Sequence, residues 1–340
     1  MADNIYQIIA QPTADDDGDT IKLENVLVTT AGFTGGLGTL SVAHTSSLQV
    51  ASQSGAYFID VYQTTTGSSD AAVQFSISYG NINGSGSTES NDEKPTRAVY
   101  YQYKSLLLDD TDTAFSFTSE SVSVSPTHIF VMNFKRDRIK DRIDPETFEF
   151  GLSGSGLFQF KSLATSSLAI SNTKYGVSYP IVSKSIATGN QVTNVFGRLY
   201  ADLGVVTLNP DHLEVLNAVR TLNTASAGNA TLNSILYSAI SSSQLDAAVP
   251  GADMTMRATE RVDSNIYFVR VKSSNFNESS NPTYYSAGRI KSNFISERIT
   301  YITTVGLYND ANELLAVAKV SQPILKKRGT EALIKVKVDF

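Results

Sequence analysis

The sequence predicts a mainly β protein with a minor helical part: antiparallel, sandwich-like β-sheets with one packed helix and a helical insertion. Three observations predict it. Short runs with a two-residue apolar period recur along the chain, bounded by Gly, Ser, Asn and Asp clusters. Only two regions, near residues 97–108 and 209–249, carry apolar residues at helical spacing. The closing stretch from Arg298 to Phe340 reads as strand, turn, strand, basic loop and strand.

At 340 residues the chain holds enough apolar side chains for one large or two ordinary domains. A net charge of −6 disfavours nucleic acid as a partner, since that partner selects a basic footprint. With no cysteine, thiol catalysis, disulfide staples and cysteine metal sites are excluded. His44, His128 and His212 are the only histidines and lie far apart with no ligand-like spacing, so no metal, cofactor or enzyme chemistry is expected. No apolar run approaches the ~18 residues of a membrane helix, and Met1-Ala2-Asp3-Asn4 has neither the basic nor the apolar region of a signal peptide. The expectation is a soluble protein without a membrane span.

The ligand spacing of the acidic run Thr13 to Asp19 lacks both the glycine at the sixth position and the bidentate Glu at the twelfth position of a calcium loop, so the run reads as a solvated turn. Leu23–Val28, Leu37–Val42, Tyr57–Tyr62 and Val73–Ser78 are four short strands. The Gly/Ser-rich loop at 80–96 comes next, so residues 1–90 are grouped as an N-terminal β-rich region and 91–340 as the core domain. Pro95 then opens a helix with Val99, Tyr100, Tyr103, Leu106 and Leu107 on one face. At that spacing Tyr100, Tyr101 and Tyr103 are packing residues before they are a stacking platform.

His128–Phe134 is a strand leading into the charged run Lys135-Arg136-Asp137-Arg138-Ile139-Lys140-Asp141-Arg142, whose alternating signs predict a salt-bridged loop or exposed helix. Gly151-Leu152-Ser153-Gly154-Ser155-Gly156 lacks the register of a nucleophile elbow and reads as a strand end and turn. Asn209-Pro210-Asp211 supplies an N-cap, a proline at the first helical position and a dipole-favoured acid, opening the helical insertion at 209–249. A second helix is expected over Thr231–Ile240. Strands return at Met254–Val262 and Ile266–Val271.

In the closing stretch Ile299, Tyr301, Thr303 and Val305 alternate with Thr300, Ile302 and Thr304. Leu314–Val320 is nearly all apolar, which predicts a strand covered on both faces, and Pro323 is expected to interrupt it. Lys326-Lys327-Arg328 reads as a surface loop. Ile334, Val336, Val338 and Phe340 then share one strand face, with Lys335, Lys337 and Asp339 on the other.

Several islands, in order, resemble virion structural proteins of tailed phages, particularly the T4-like phages of marine cyanobacteria. They are Tyr101–Leu108, Phe134–Pro145 with the strand ending at Leu152-Ser153, Leu203–Pro210, and Thr300–Asp310 through Leu314–Lys319 and Pro323-Ile324; residues 1 to about 90 depart from the pattern and are on this reading its variable, partner-specific part. The resemblance implies a contractile-tail component of the virion, made in the host cytoplasm. A baseplate, wedge-like subunit is the foremost reading, with a fibre-attachment or neck protein as its alternative. It implies other tail or baseplate proteins as partners, many copies in a larger assembly, and no catalytic residues. The basic residues Lys135, Arg136, Arg138, Lys140 and Arg142, together with Lys326, Lys327 and Arg328, are the candidate interaction surface. A reading from a different class is a carbohydrate-binding or receptor-binding β protein, suggested by the tyrosines and the Asn/Ser/Asp loops.

Overall fold

The computed structural model describes residues 22–51, 56–87, 94–118, 123–154, 157–164, 171–173, 176–185, 189–222, 229–244, 253–309 and 311–339. The acidic run 13–19, Ser155-Gly156, Asp310 and Phe340 lie outside them.

The chain begins with β1 (Lys22–Ala31), β2 (Thr39–Leu40) and helix α1 (Ser47–Ala51). β3 (Ile59–Tyr62), β4 (Val73–Asn81), α2 (Pro95–Leu107), β5 (Phe117–Thr118) and β6 (Ser123–Val124) come after them. Next are β7 (His128–Phe134), α3 (Arg136–Ile139), β8 (Arg142–Ile143), β9 (Glu149–Ser153) and β10 (Leu157–Ser162). β11 (Ser171–Thr173), β12 (Gly176–Ser185), β13 (Gly189–Tyr200) and β14 (Val205–Leu208) complete the run of strands before α4 (Pro210–Val215) and α5 (Asn229–Gln244). The last third holds β15 (Met254–Thr255), β16 (Arg257–Val271), β17 (Tyr285–Ser286), β18 (Arg289–Ile290) and α6 (Ser292–Ser296). It ends with β19 (Ile299–Tyr308), β20 (Leu314–Lys327) and β21 (Ala332–Asp339). The fold is mainly β with a few helices, as the sequence predicts, and its sheets are antiparallel, as in the ladders β10–β12, β12–β13 and β19–β20.

Two compact units divide the chain, residues 27–260 and residues 1–26 with 261–340. The sequence grouping that set residues 1–90 apart is not kept: β3 and β4 pair with each other, and β4 pairs with β7, so they share a sheet with strands beyond residue 90.

In the 27–260 unit one sheet runs β2-β15-β9-β10-β12-β13-β14-β7-β4-β3, with β11 on β12. Four residues after β2, His44 exchanges backbone hydrogen bonds with Tyr62 of β3 at 2.9 and 2.8 Å, so the two ends of this path are stitched together. The sheet must curl for that, and its aromatic residues measure the curl. Phe134 on β7 and Phe148 at the entrance to β9 have ring centroids 5.7 Å apart, although five strand spacings separate β7 from β9. In a flat sheet those spacings would amount to about 24 Å.

The alternation on β7 sends Phe130, Met132 and Phe134 to the inside of the curl and Ile129 and Val131 to the outside, and both sets are buried. Inside, α5 lays Leu232, Leu236, Ala239 and Ile240 on the core, touching β9, β4 and β3. Asn233 on α5 accepts a hydrogen bond from the Tyr79 backbone N–H at 2.7 Å. Outside, α2 buries Val99, Tyr100, Tyr103 and Leu107 against Ile129, Val131 and Val205. Tyr100 and Tyr103 are therefore core residues, while Tyr101 lies exposed beside Arg97 and Lys104.

In the 261–340 unit, residues 264–271 of β16 pair with β21 from Ser264↔Asp339 to Val271↔Ala332. The β19–β20 hairpin packs one face on that pair, and Val269, Val271, Ile334, Val336, Ile302, Val305 and Leu307 form the core between them. Pro323 does not end β20. The ladder passes from Ile302↔Ile324 to Thr304↔Lys319, so Val320–Pro323 stand against the single Thr303. Proline has no N–H for the ladder, and a bulge exempts it from donating one. The shift also breaks the expected alternation on β19: Val305 and Leu307 point into the core on one side of Thr303, and Thr300 and Ile302 are the buried residues on the other.

Gly80 on β4 faces α2 so closely that a Cβ there would lie 2.9 Å from the Tyr100 backbone. Gly80→Ala is therefore expected to push the helix off the sheet and to destabilise the protein by about 1–3 kcal/mol. Chemical denaturation checks this, and an unchanged midpoint would show that the helix can yield to the methyl group without cost.

Candidate functional site

The basic run after β7 folds as one short helical turn, α3, anchored by Ile139, which is fully buried. Lys135 pairs with Asp137 at 3.4 Å, Arg136 donates to the Asp202 carbonyl at 3.1 Å, and Lys140 stands 3.9 Å from Glu260. Arg142 donates to Thr259 Oγ1 at 3.4 Å, and Arg138 is half-buried. Lys135 and Arg136 line a groove of about 450 Å³ with Val73, Ser76, Asn133, Phe134 and Leu203. These side chains are mostly engaged with their own surroundings, as a salt-bridged segment requires.

The second basic run departs from expectation. Lys326 and Lys327 belong to β20, and Lys326 is 0 % exposed. Its ammonium donates to the carbonyls of Ser273 and Lys327 at 3.2 and 2.9 Å and to Asn277 Oδ1 at 3.0 Å. Three acceptors match its three N–H groups, which is what makes such burial tolerable. Desolvation holds its pKa below the ordinary lysine value, with Glu331 acting in the opposite direction. Lys326 therefore pins the loop after β16 to β20 and is not part of a surface. Lys327 and Arg328 do line a groove of about 270 Å³, with Ile295, Ser296, Glu297, Arg298 and Ile299.

One constellation has no signature in the spacing of its residues. His128 on β7 lies between Tyr79 of β4, whose hydroxyl is 2.9 Å from Nδ1, and Asp211 of α4, whose Oδ1 is 2.8 Å from Nε2. Asp211 is placed by the cap that the sequence predicts: Asn209 Oδ1 accepts its backbone N–H at 3.1 Å. An ionised Asp211 accepts from Nε2–H, leaving Nδ1 to accept from the tyrosine, so a neutral imidazole satisfies the row. Tyr79 is fully buried and its ring packs edge-on against Phe130 at 5.5 Å. The row resembles a catalytic relay in composition only. Its terminal hydroxyl belongs to a fully buried tyrosine and is turned toward His128, so the row ties β4, β7 and α4 together. Among the described residues no group of three or more His, Asp or Glu is placed to hold a metal ion. No helix among them is long and apolar enough to cross a membrane.

The least ordinary surface lies on the hairpin. Leu314–Val320 is not covered on both faces: Ala316 and Ala318 pack on the core, whereas Leu315 and Val317 are 69 % and 58 % exposed. Leu314 and Leu325 add 51 % and 44 % exposure. Among the described residues β19 and β20 pair only with each other, so the outer edge of the 14-residue β20 presents backbone groups as well as apolar side chains. Leu333 on β21 is exposed too.

Comparison with known protein families, with characterised proteins and with solved structures finds no match for this chain.

Burial pushes the pKa of Tyr79 up to about 12, with a hydrogen bond from Asn81 opposing and Asp211 reinforcing. It does the same to Tyr200, also to about 12, against the opposing charge of Arg198. In the unfolded chain both ionise near 10. Both raised values stabilise the fold fully below about pH 10, and that stability is lost as pH rises toward 12. Circular dichroism is expected to show alkaline unfolding in this window. The Tyr79→Phe/Tyr200→Phe double variant should unfold at higher pH although it is less stable at neutral pH.

Proposed function

We propose that this chain is a structural subunit of a phage virion, a contractile-tail component of the baseplate that works by being buried among its neighbours. The observation that carries the reading is the exposed strip Leu314, Leu315 and Val317 on a two-stranded ribbon with a long open edge. A monomer guards such edges with charge, bulges or cover; the half of β20 that carries Leu315 and Val317 has one single-residue bulge, at Leu315, and no charged side chain from Leu314 to Ala318. A neighbouring β-strand would add to the edge through backbone hydrogen bonds while its side chains cover the strip. The segments resembling virion proteins include this hairpin, which supports the same reading. The pair Lys327–Arg328 serves on this view as a polar rim beside such contacts.

Two measurements test the proposal. In virions assembled with an epitope-tagged copy of the chain, electron microscopy is expected to find it as ordered copies in the tail, and its absence from the particle would sink the reading. In purified protein, light scattering after size exclusion is expected to report a multimer. Val317→Lys with Leu315→Lys should lower its mass toward the monomer while circular dichroism stays unchanged, since both side chains already face solvent in the isolated chain.

A further inference from the structure

The bulge in the β19–β20 hairpin does more than accommodate Pro323. Against it lies the segment from Ser279 to Phe294, and between the two is a groove of about 520 Å³. That volume falls within the roughly 300–1,000 Å³ of ordinary small-molecule sites.

The groove is built of two kinds of group. Its apolar side is aromatic: Tyr284 and Phe294 are stacked with centroids 4.3 Å apart and planes 12° from parallel, and Tyr301, on the hairpin, is 55 % exposed. Its polar side consists of neutral hydroxyl and amide groups, among them Asn281, Thr283, Thr303, Thr304 and Ser321. Among the described residues Lys319 is the single charged residue of the lining, and no carboxylate is present there. Part of the wall is set before any ligand arrives. Asn281 Oδ1 accepts the Thr283 N–H at 2.9 Å to open the 3-10 turn Pro282–Tyr284, and Ser279 Oγ accepts the Asn281 N–H at 3.2 Å.

A ligand matched to such a lining has a flat, C–H-bearing face for the rings and a rim of uncharged hydroxyls for the Thr, Ser and Asn groups. An anionic ligand would meet one lysine, and a cationic ligand would meet no acid. We propose that this groove binds a short neutral oligosaccharide, stacked on Tyr301 and Phe294 and hydrogen-bonded along Thr303, Thr304 and Ser321. With no acid in the described lining, the opposed carboxyl pair that glycoside cleavage uses is missing, so the site holds the sugar without cutting it. Sugar binding goes beyond the assembly reading and does not depend on it.

The test uses the purified full chain and a panel of neutral oligosaccharides: maltotriose, cellotriose, chitotriose and mannotriose. Calorimetric titration and saturation-transfer NMR are expected to show that at least one binds. Tyr301→Ala and Phe294→Ala should each weaken it by about tenfold or more, the cost of one lost stacking surface. Thr304→Val should weaken it while leaving the aromatic wall intact. Val317→Lys, outside the groove, should leave binding unchanged whatever it does to the multimer. Failure of all four sugars to bind overturns the proposal, as does binding that survives both aromatic substitutions in proteins with unaltered circular dichroism. A chain that binds sugar but never multimerises would refute the assembly reading alone.

Discussion

The contact between Phe134 and Phe148 is the constraint on which the larger unit depends. It forces a sheet of many strands to fold over on itself, and it is one link in a row of rings. Phe75, Phe134, Phe148, Phe150, Phe160 and Phe196 touch in succession, with centroids between 5.0 and 5.7 Å apart. Each such pair contributes about 0.5–1.5 kcal/mol beyond the burial of its area. The row passes from β4 through β7, β9 and β10 to β13, so it links strands that the hydrogen-bond ladder keeps far apart. Only in that curl can α5 reach β9, β4 and β3 at once, and only there can the chain after β2 meet β3. Bulky rings on the inside have their counterpart outside, where Gly80 lets the backbone of α2 come down onto β4.

The smaller unit obeys a different logic. Its strands bury one face each: β16 and β21 meet β19 and β20 across a single layer of Val, Ile and Leu side chains. Such a layer stabilises the unit but covers only half of each ribbon. A buried lysine takes the place of an apolar residue at one end, and it is satisfied by the loop that it holds. The outer half is where the surface features concentrate, because among the described residues only the segment from Ser279 to Phe294 stands against it, across a groove. That is the physical reason for proposing the hairpin, and not the curled sheet, as the place of contact with partners.

Much of this organisation was legible in the residues. The period-two runs mark β4, β7 and β21, Pro95 marks the start of α2, and Asn209-Pro210-Asp211 marks α4 with the cap it forms. The curl was not legible, because it depends on which strands become neighbours, and period two says only which face a side chain takes. The Tyr79–His128–Asp211 row was hidden for the same reason: its members lie on three elements that topology alone brings together. Lys326 had a readable signal. Ala316, Ala318, Ile324 and Lys326 share parity along β20, so the alternation carries the lysine inward; a cluster of three basic residues before a glycine simply looks like a loop. The apolar run Leu314–Val320 misled in the opposite sense, since a continuous apolar strand describes equally a strand buried on both faces and one whose second face awaits a partner.

The same proline that suggested the end of a strand explains why one hairpin can present two unlike surfaces. Without an N–H, Pro323 has no place in a regular ladder, and the bulge that admits it sets four residues of β20 against one of β19. On β19 this switches which residues face inward, from Val305 and Leu307 to Thr300 and Ile302. Beyond the bulge, toward the Asn309 turn, the outer face is Leu315 and Val317, apolar and open-edged, suited to another strand. At the bulge the outer face is Tyr301, Thr303, Thr304 and Ser321, aromatic and hydroxylic, suited to a small amphipathic ligand. A regular hairpin of this length would carry a single stripe from end to end. The irregularity divides it, so substitutions in one half can act on association and those in the other on ligand binding, with the shared inner face left untouched.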